Sequence, residues 1–283
     1  TPTIYLTNED GSYRLDARGQ RQPLTVSMVE LAEGSNHGRA QIEALLRLYA
    51  EWIAARTAEI EDLPTRFRDA AHNHMTRATK ALNRMRTGWQ LVNSDPIALQ
   101  AFQWANEAML YQQVRSNFPI REVRQSKDGT LRVDGPHPTP LVPPGRGTWR
   151  PFQIAFILAT IPELVDPTRK TRSVVDLIFF PTGGGKTEAY LGACAISLLA
   201  RRLRNPNDSG TDTLMRYTLR LLTAQQFLRA ASLICVLEAI RDKHPDQLGT
   251  SAFRIGIWLG GASTPNTWEG AVKALKLSLI HIS

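Results

Sequence analysis

Three consecutive glycines followed by Lys and Thr, Gly183-Gly184-Gly185-Lys186-Thr187, sit between an unbroken apolar run and a stretch with helical periodicity from Lys186 to about Leu203. The run before them is Val174-Val175-Asp176-Leu177-Ile178-Phe179-Phe180. A nearly continuous apolar run of that length suits a parallel strand covered on both faces. The glycines let the backbone turn tightly with its amide hydrogens pointing inward, and the start of the following helix adds the positive end of its dipole. The unit Pro181-Thr182-Gly183-Gly184-Gly185-Lys186-Thr187 therefore reads as a phosphate cradle. In it Thr182, Gly183, Gly184 and Gly185 surround the phosphates of ATP, Lys186 reaches the β- and γ-phosphates, and Thr187 holds Mg²⁺. Lys186 and Thr187 are the residues assigned to catalysis. The bland alternative is a glycine-rich turn with a chance Gly-Lys-Thr, against which stand the strand before it and the helix after it.

The same alternation continues downstream. Strand-like Thr213 to Tyr217 precedes a helical stretch from Thr223 to Arg241, and strand-like Phe253 to Leu259 follows. A βαβαβ order implies a parallel sheet with right-handed crossovers. Upstream the pattern is different. Residues 1–37 carry short β-like pieces, Thr3 to Leu6 and Ser12 to Leu15, around the turn Asn8-Glu9-Asp10-Gly11. Residues 38–116 hold three amphipathic helices: one with Ile42, Leu45, Leu46, Tyr49, Trp52 and Ile53 on one face, one from Thr65 to Arg86 ending at Gly88, and one opening at Asp95-Pro96. An acidic N-cap before proline at the first helical position marks that last start. Residues 117–148 form a hairpin turning at Lys127-Asp128-Gly129 and then a linker with Pro136, Pro138, Pro140, Pro143 and Pro144. So many prolines exclude helix or central strand, and the domain boundary is placed there. The expected fold class is α/β, a mainly helical N-terminal region followed by a truncated parallel-sheet nucleotide-binding lobe over 149–276.

Composition narrows the setting. Of 283 residues, 42% are apolar and 21% charged, enough to bury a core. Two cysteines, Cys194 and Cys235, cannot form a disulfide framework and lie on apolar helix faces, as packed thiols do. No run reaches the roughly 18 to 20 apolar residues of a membrane span, so no membrane partner is expected and the location is read as cytoplasmic. A net charge of +8 fits a polyanionic partner or simple solubility. Arg77, Lys80 and Arg84 share one helix face and could contact DNA, though such a stripe is more often simply solvated. His72 and His74 lie two apart and point to different faces, against a metal site. Arg201, Arg202 and Arg204 close the helix after the cradle, where cations suit its dipole.

The full cradle pattern, GxxxxGK followed by Ser or Thr, asks for glycine where Phe180 stands. The form x-Pro-Thr-Gly-x-Gly-Lys-Thr resembles motif I of superfamily 2 helicases, which usually lacks that glycine. Trp149-Arg150-Pro151-Phe152-Gln153 resembles the Q motif of the same superfamily, and implies that the Gln153 amide reads the adenine edge with a donor and an acceptor. Met215 to Gln226 resembles motif Ia, which implies that Thr218, Arg220 and Gln225 hold nucleic-acid phosphates, although there is one extra residue before the arginine and no proline. Gly260 and Gly261, in Gly260-Gly261-Ala262-Ser263-Thr264-Pro265-Asn266, resemble the glycine loop lying along the nucleic-acid strand, though glycines after a strand are common for turn geometry alone.

Whole phrases extend the likeness: RPFQIAFIL, VDLIFFPTGGGKTEAYLGACA, LMRYTLRLLTAQQFLRAASLICVLEAIR and FRIGIWLGGASTPN. Together they resemble the helicase subunit of DISARM-type bacterial anti-phage defence systems. The resemblance implies a first RecA-like lobe, ATP and Mg²⁺ as cofactors, DNA as partner, ATP-dependent translocation or remodelling, and a DUF1998-like companion protein. The alternatives are the motor subunit of another restriction or repair complex, a non-catalytic module whose cradle acts as a nucleotide-dependent switch, and a small-molecule kinase. No DExx-like carboxylates follow Gly260, and no second lobe is present, so the chain reads as a fragment that binds ATP without turning it over. Residues 277–283, LSLIHIS, break the preceding amphipathic pattern and resemble translated sequencing-adapter read-through, an artefactual tail.

Overall fold

In a computed structural model of the protein, the residues described are 4–8, 10, 12–115, 122–126, 128–133, 142, 146–179, 185–217, 220–258, 265 and 267–280. The N-terminal pieces form antiparallel bridges, Tyr5 with Pro23, Thr7 with Tyr13 and Leu15 with Arg21. Strand β1 (Val26–Ser27) leads directly into α1 (Met28–Glu33). The Ser27 hydroxyl accepts from the Glu30 amide and the Ser35 hydroxyl from the Gly38 amide, so two serine caps start α1 and α2 (Asn36–Ala58) within nine residues of each other. A 3₁₀ turn, Glu59–Asp62, joins α2 to α3 (Thr65–Ser94), and Asp95 caps α4 (Pro96–Arg115) by accepting from the Ala98 amide at 2.9 Å.

The hairpin is β2 (Val123–Gln125) paired antiparallel with β3 (Leu131–Val133). Strand β4 (Thr148–Trp149) returns to β1 in the register Val26 with Trp149 and Ser27 with Thr148. Then come α5 (Pro151–Val165), a 3₁₀ turn at Lys170–Ser173, α6 (Lys186–Arg204), α7 (Arg220–Lys243), the single turn α8 (Pro245–Leu248) and α9 (Trp268–Ile280). Of the proline-rich linker only Val142 and its last residues, from Arg146, are described. Helices on either side of it share one apolar core, with α5 packed on α3 and both α6 and α7 on α4.

This architecture corrects the expected fold class. Among the described residues the sheets are two antiparallel pairs, β1 with β4 and β2 with β3, and no parallel RecA-like sheet is present. The described parts of the apolar runs expected to be strands, 174–179, 213–217 and 253–258, belong to no strand and form no ladder. Most of their side chains are exposed, Val175 at 90%, Leu177 at 86%, Phe179 at 87% and Leu214 at 81%, while Phe253 is buried. The physical reason is that the helices satisfy one another. Ile154, Ile157, Leu158 and Ile161 of α5, Leu191, Ile196 and Leu199 of α6, and Leu233, Leu237 and Ile240 of α7 fill the interior. Helix-on-helix burial leaves most of those runs outside the core, Phe253 excepted, and an apolar run by itself does not specify a strand partner.

Three further expectations change. Helix α3 continues past Gly88 to Ser94, because glycine sits at the crossing with α5 rather than at a cap: a Cβ on Gly88 would lie 1.8 Å from the Leu158 carbonyl oxygen. Arg84 is not offered to DNA, since both guanidinium nitrogens hold the Asp176 carboxylate and Glu163 lies 3.9 Å away; those contacts raise its pKa, Asp176 first. Arg202 is a buried staple, donating to the carbonyls of Asp208, Leu248 and Ser251 at 2.7, 2.8 and 2.6 Å, with its guanidinium 4.9 Å over the Phe253 ring. Arg201 grips Asp208, and Arg241 bridges Glu238 to the Gly249 carbonyl. Thus the arginines closing α6 and α7 hold the loops that follow, a tighter role than complementing a dipole.

Glycine in a helix interior ordinarily costs about 1 kcal/mol relative to alanine, so a solvent-facing Gly→Ala change stabilises. At Gly88 the sign reverses. Gly88→Ala is expected to destabilise the chain by about 1 to 3 kcal/mol, the usual cost of overpacking, read as a lower urea midpoint with an unchanged slope.

Candidate nucleotide site

Helix α6 begins where the cradle ends. Gly185 caps it at φ +85°, the left-handed region that glycine enters without steric cost. Lys186 and Thr187 are its first two residues, so both lie in the turn where the amides have no helical partner. Thr182, Gly183 and Gly184 lie outside the described residues, as do Thr218, Gly260 and Gly261.

The expected adenine reader comes to the same place. Gln153 is 4% exposed, and its amide is used at both ends: Oε1 accepts from the Arg150 amide at 2.8 Å, and Nε2 donates to the Gly185 carbonyl at 2.7 Å. The first bond is half of a capping box at the start of α5; the other half is absent because a guanidinium has no acceptor. The second bond carries α5 to the start of α6 across 32 residues. The Gln153 amide therefore lies at the residue that caps α6, and in this arrangement it holds protein backbone. Arg150 is there too. A Cβ on Gly185 would lie 2.7 Å from Gln153 Nε2, 3.3 Å from Glu188 Oε2 and 3.8 Å from Arg150 Nη1.

Around Thr187 lies a polar cluster that no motif singled out. The Tyr190 hydroxyl is 3.1 Å from Thr187 Oγ1, 2.9 Å from the Tyr217 hydroxyl and 3.2 Å from Gln226 Oε1. Glu188 Oε1 pairs with Arg229, joining α6 to α7, while Glu188 Oε2 is buried with no hydrogen-bond partner among the described residues. Burial, and then the Tyr190 hydroxyl, push the Tyr217 phenol well above the ordinary tyrosine value of 10. On α7 the adjacent glutamines divide: Gln225 is exposed, and Gln226 reaches the cluster. The visible signal for this cluster was modest, two tyrosines near the cradle helix and a glutamine pair at helical spacing from Arg229.

Phosphates and a cation fit this chemistry in part. The first turn of α6, with its positive dipole end, and the cationic side chains of Lys186 and Arg150 suit an anion. The Thr187 hydroxyl and the unpartnered Glu188 oxygen are hard oxygen donors of the kind Mg²⁺ takes. Elsewhere, burial pushes the Cys194 thiol up to about 11. Cys235, expected to be packed, is exposed. His72 and His74 are both exposed, and among the described residues no group of three or more metal-ligating side chains gathers. No described helix is long and apolar enough to cross a membrane.

No protein-family model matches the chain. It is 40% identical over 193 residues to the DISARM protein DrmA of Bacillus paralicheniformis, a match covering 65% of this chain and 16% of that protein. The likeness to a DISARM component read from the sequence phrases is thus found against a named relative, of which the chain spans about a sixth.

A tyrosine whose pKa is raised by folding contributes stability below its unfolded value of about 10, and that contribution is lost as pH rises through the folded value. Unfolding free energy is therefore expected to fall between pH 9 and 11 in wild type, and Tyr217→Phe should flatten that slope in urea titrations at fixed ionic strength. An unchanged slope would remove Tyr217 from the account.

Proposed function

We propose that the chain binds ATP with Mg²⁺ at the start of α6 and belongs to a DNA helicase or translocase acting in bacterial anti-phage defence. The observation that carries this reading is the convergence of Arg150, Gln153, Gly185, Lys186 and Thr187 on one helix N-terminus, from two segments more than 30 residues apart. The likeness to DISARM protein DrmA supports the defence setting and, with it, DNA as the polymer acted upon.

In this reading Lys186 and Arg150 neutralise the phosphates, the first-turn amides of α6 orient them, and Thr187 offers its hydroxyl to the cation. The bound ion supplies charge neutralisation between the β- and γ-phosphates. Gln153 holds the α6 cap in place; to read adenine it would exchange its bond to the Gly185 carbonyl for one to the base. Arg220 and Gln225, on the first turns of α7, are the candidate DNA contacts, with Thr218, Gly260 and Gly261 beside them in sequence. A companion protein of the DUF1998-like class is part of the same proposal.

Lys186→Ala is expected to weaken Mg-ATP binding at least about tenfold, the equivalent of about 1.4 kcal/mol, with the circular dichroism spectrum unchanged. Fluorescent ATP-analogue titration reads it. Absence of binding by the wild-type chain at about 1 mM nucleotide, an affinity worth only about 4 kcal/mol, would defeat the proposal.

A further inference from the structure

The Tyr190 hydroxyl carries one proton and faces two acceptors. Thr187 Oγ1 at 3.1 Å belongs to the turn that opens α6, and Gln226 Oε1 at 3.2 Å belongs to α7. Tyr217, 2.9 Å away on the segment before α7, supplies the third contact, in which either hydroxyl can be the donor. When Tyr217 donates, the Tyr190 proton goes to Thr187 or to Gln226, and not to both. The Glu188 to Arg229 ion pair clamps the same two helices beside it, so the cluster is a point of attachment between α6 and α7.

We infer that Tyr190 is a positioning residue whose single hydroxyl proton couples nucleotide occupancy at Thr187 to the placement of α7. The inference rests on the function proposed above. When Thr187 Oγ1 gives a lone pair to a cation, it becomes a poorer acceptor, and the Tyr190 proton turns to Gln226. That bond draws the α7 residue next to Gln225 toward α6. When Thr187 is not so engaged, it competes for the proton and the tie to α7 weakens. Two discrete hydrogen-bond arrangements of one side chain give the two-state element that energetic coupling needs. By linkage, DNA held on α7 must in turn change the affinity for Mg-ATP by the same factor.

The experiment uses the whole chain, Mg-ATP and a fluorescein-labelled DNA oligonucleotide, and measures DNA affinity with and without saturating Mg-ATP by anisotropy. The wild-type ratio is expected to be about fivefold or more, the lower end of ordinary coupling. Tyr190→Phe keeps the ring and removes the proton, and should bring the ratio to near one while leaving Mg-ATP affinity without DNA within about twofold. Gln226→Ala removes the acceptor and should have the same effect, and the double variant should be no worse than either single one, which independent structural damage would not produce. A ratio that survives Tyr190→Phe, additive losses in the double variant, or a wild-type ratio of one with both ligands bound overturns the coupling and leaves the proposed function standing. Failure of the wild-type chain to bind Mg-ATP or DNA overturns the function and the coupling with it.

Discussion

The indole of Trp149 is the contact on which the arrangement of helices depends. Its Nε1 donates to Asn106 Oδ1 at 2.7 Å inside the core, and the Asn106 amide donates in turn to the Phe102 carbonyl at 2.8 Å. A buried indole N–H without a partner would cost about 1 to 3 kcal/mol, so this bond selects the face of α4 that meets residue 149. On its other side the ring lies against α6 at Gly192, where a Cβ would come within 2.9 Å of Cη2. Its backbone pairs with Val26 in the β1 to β4 ladder, and two residues later α5 begins. One side chain thereby fixes the N-terminal strand, the helical region before the proline-rich linker, and the cradle helix after it.

That anchoring explains why the candidate site is assembled where it is. With α5 started at Pro151 and α6 packed on Trp149, Gln153 on the first turn of α5 falls within hydrogen-bond reach of Gly185. The site is a meeting of two helix N-termini. Its electrostatic character follows, because each is the positive end of a helix dipole and each carries a cation, Arg150 or Lys186. The carboxylate of Glu188 sits among them with one oxygen held by Arg229 and one with no partner among the described residues.

Legibility in the sequence followed the range of the interactions involved. Asp95-Pro96, Lys127-Asp128-Gly129 and the periodic apolar positions of α2, α6 and α7 are local signals, and the corresponding caps, turn and helices are present. Helix α1 carries a local signal too, Ser27 three residues before Glu30, inside the segment expected to hold only short β-like pieces. Gly88 was ambiguous because glycine ends helices and also permits close crossings; only the Leu158 carbonyl facing it decides between them. Val174 to Phe179 misled because a continuous apolar run states that a segment is hydrophobic, and its hydrogen-bond partners lie elsewhere in the chain. Asp176 within it proved the informative residue, as the partner of Arg84.

The division follows from what each kind of information contains. Capping, turn chemistry and helical period arise from residues a few positions apart, so the sequence alone determined where most helices start and that Gly185, Lys186 and Thr187 stand at the start of one. Which surfaces meet depends on three-dimensional complementarity between distant segments. Tertiary structure alone decided that helices rather than a parallel sheet form the core, that Arg84 and Arg202 are internal ties, and that Tyr190 stands between Thr187 and Gln226. Each of these rests on a contact over 27 or more residues or a choice among equally apolar partners, and no local pattern carries that choice.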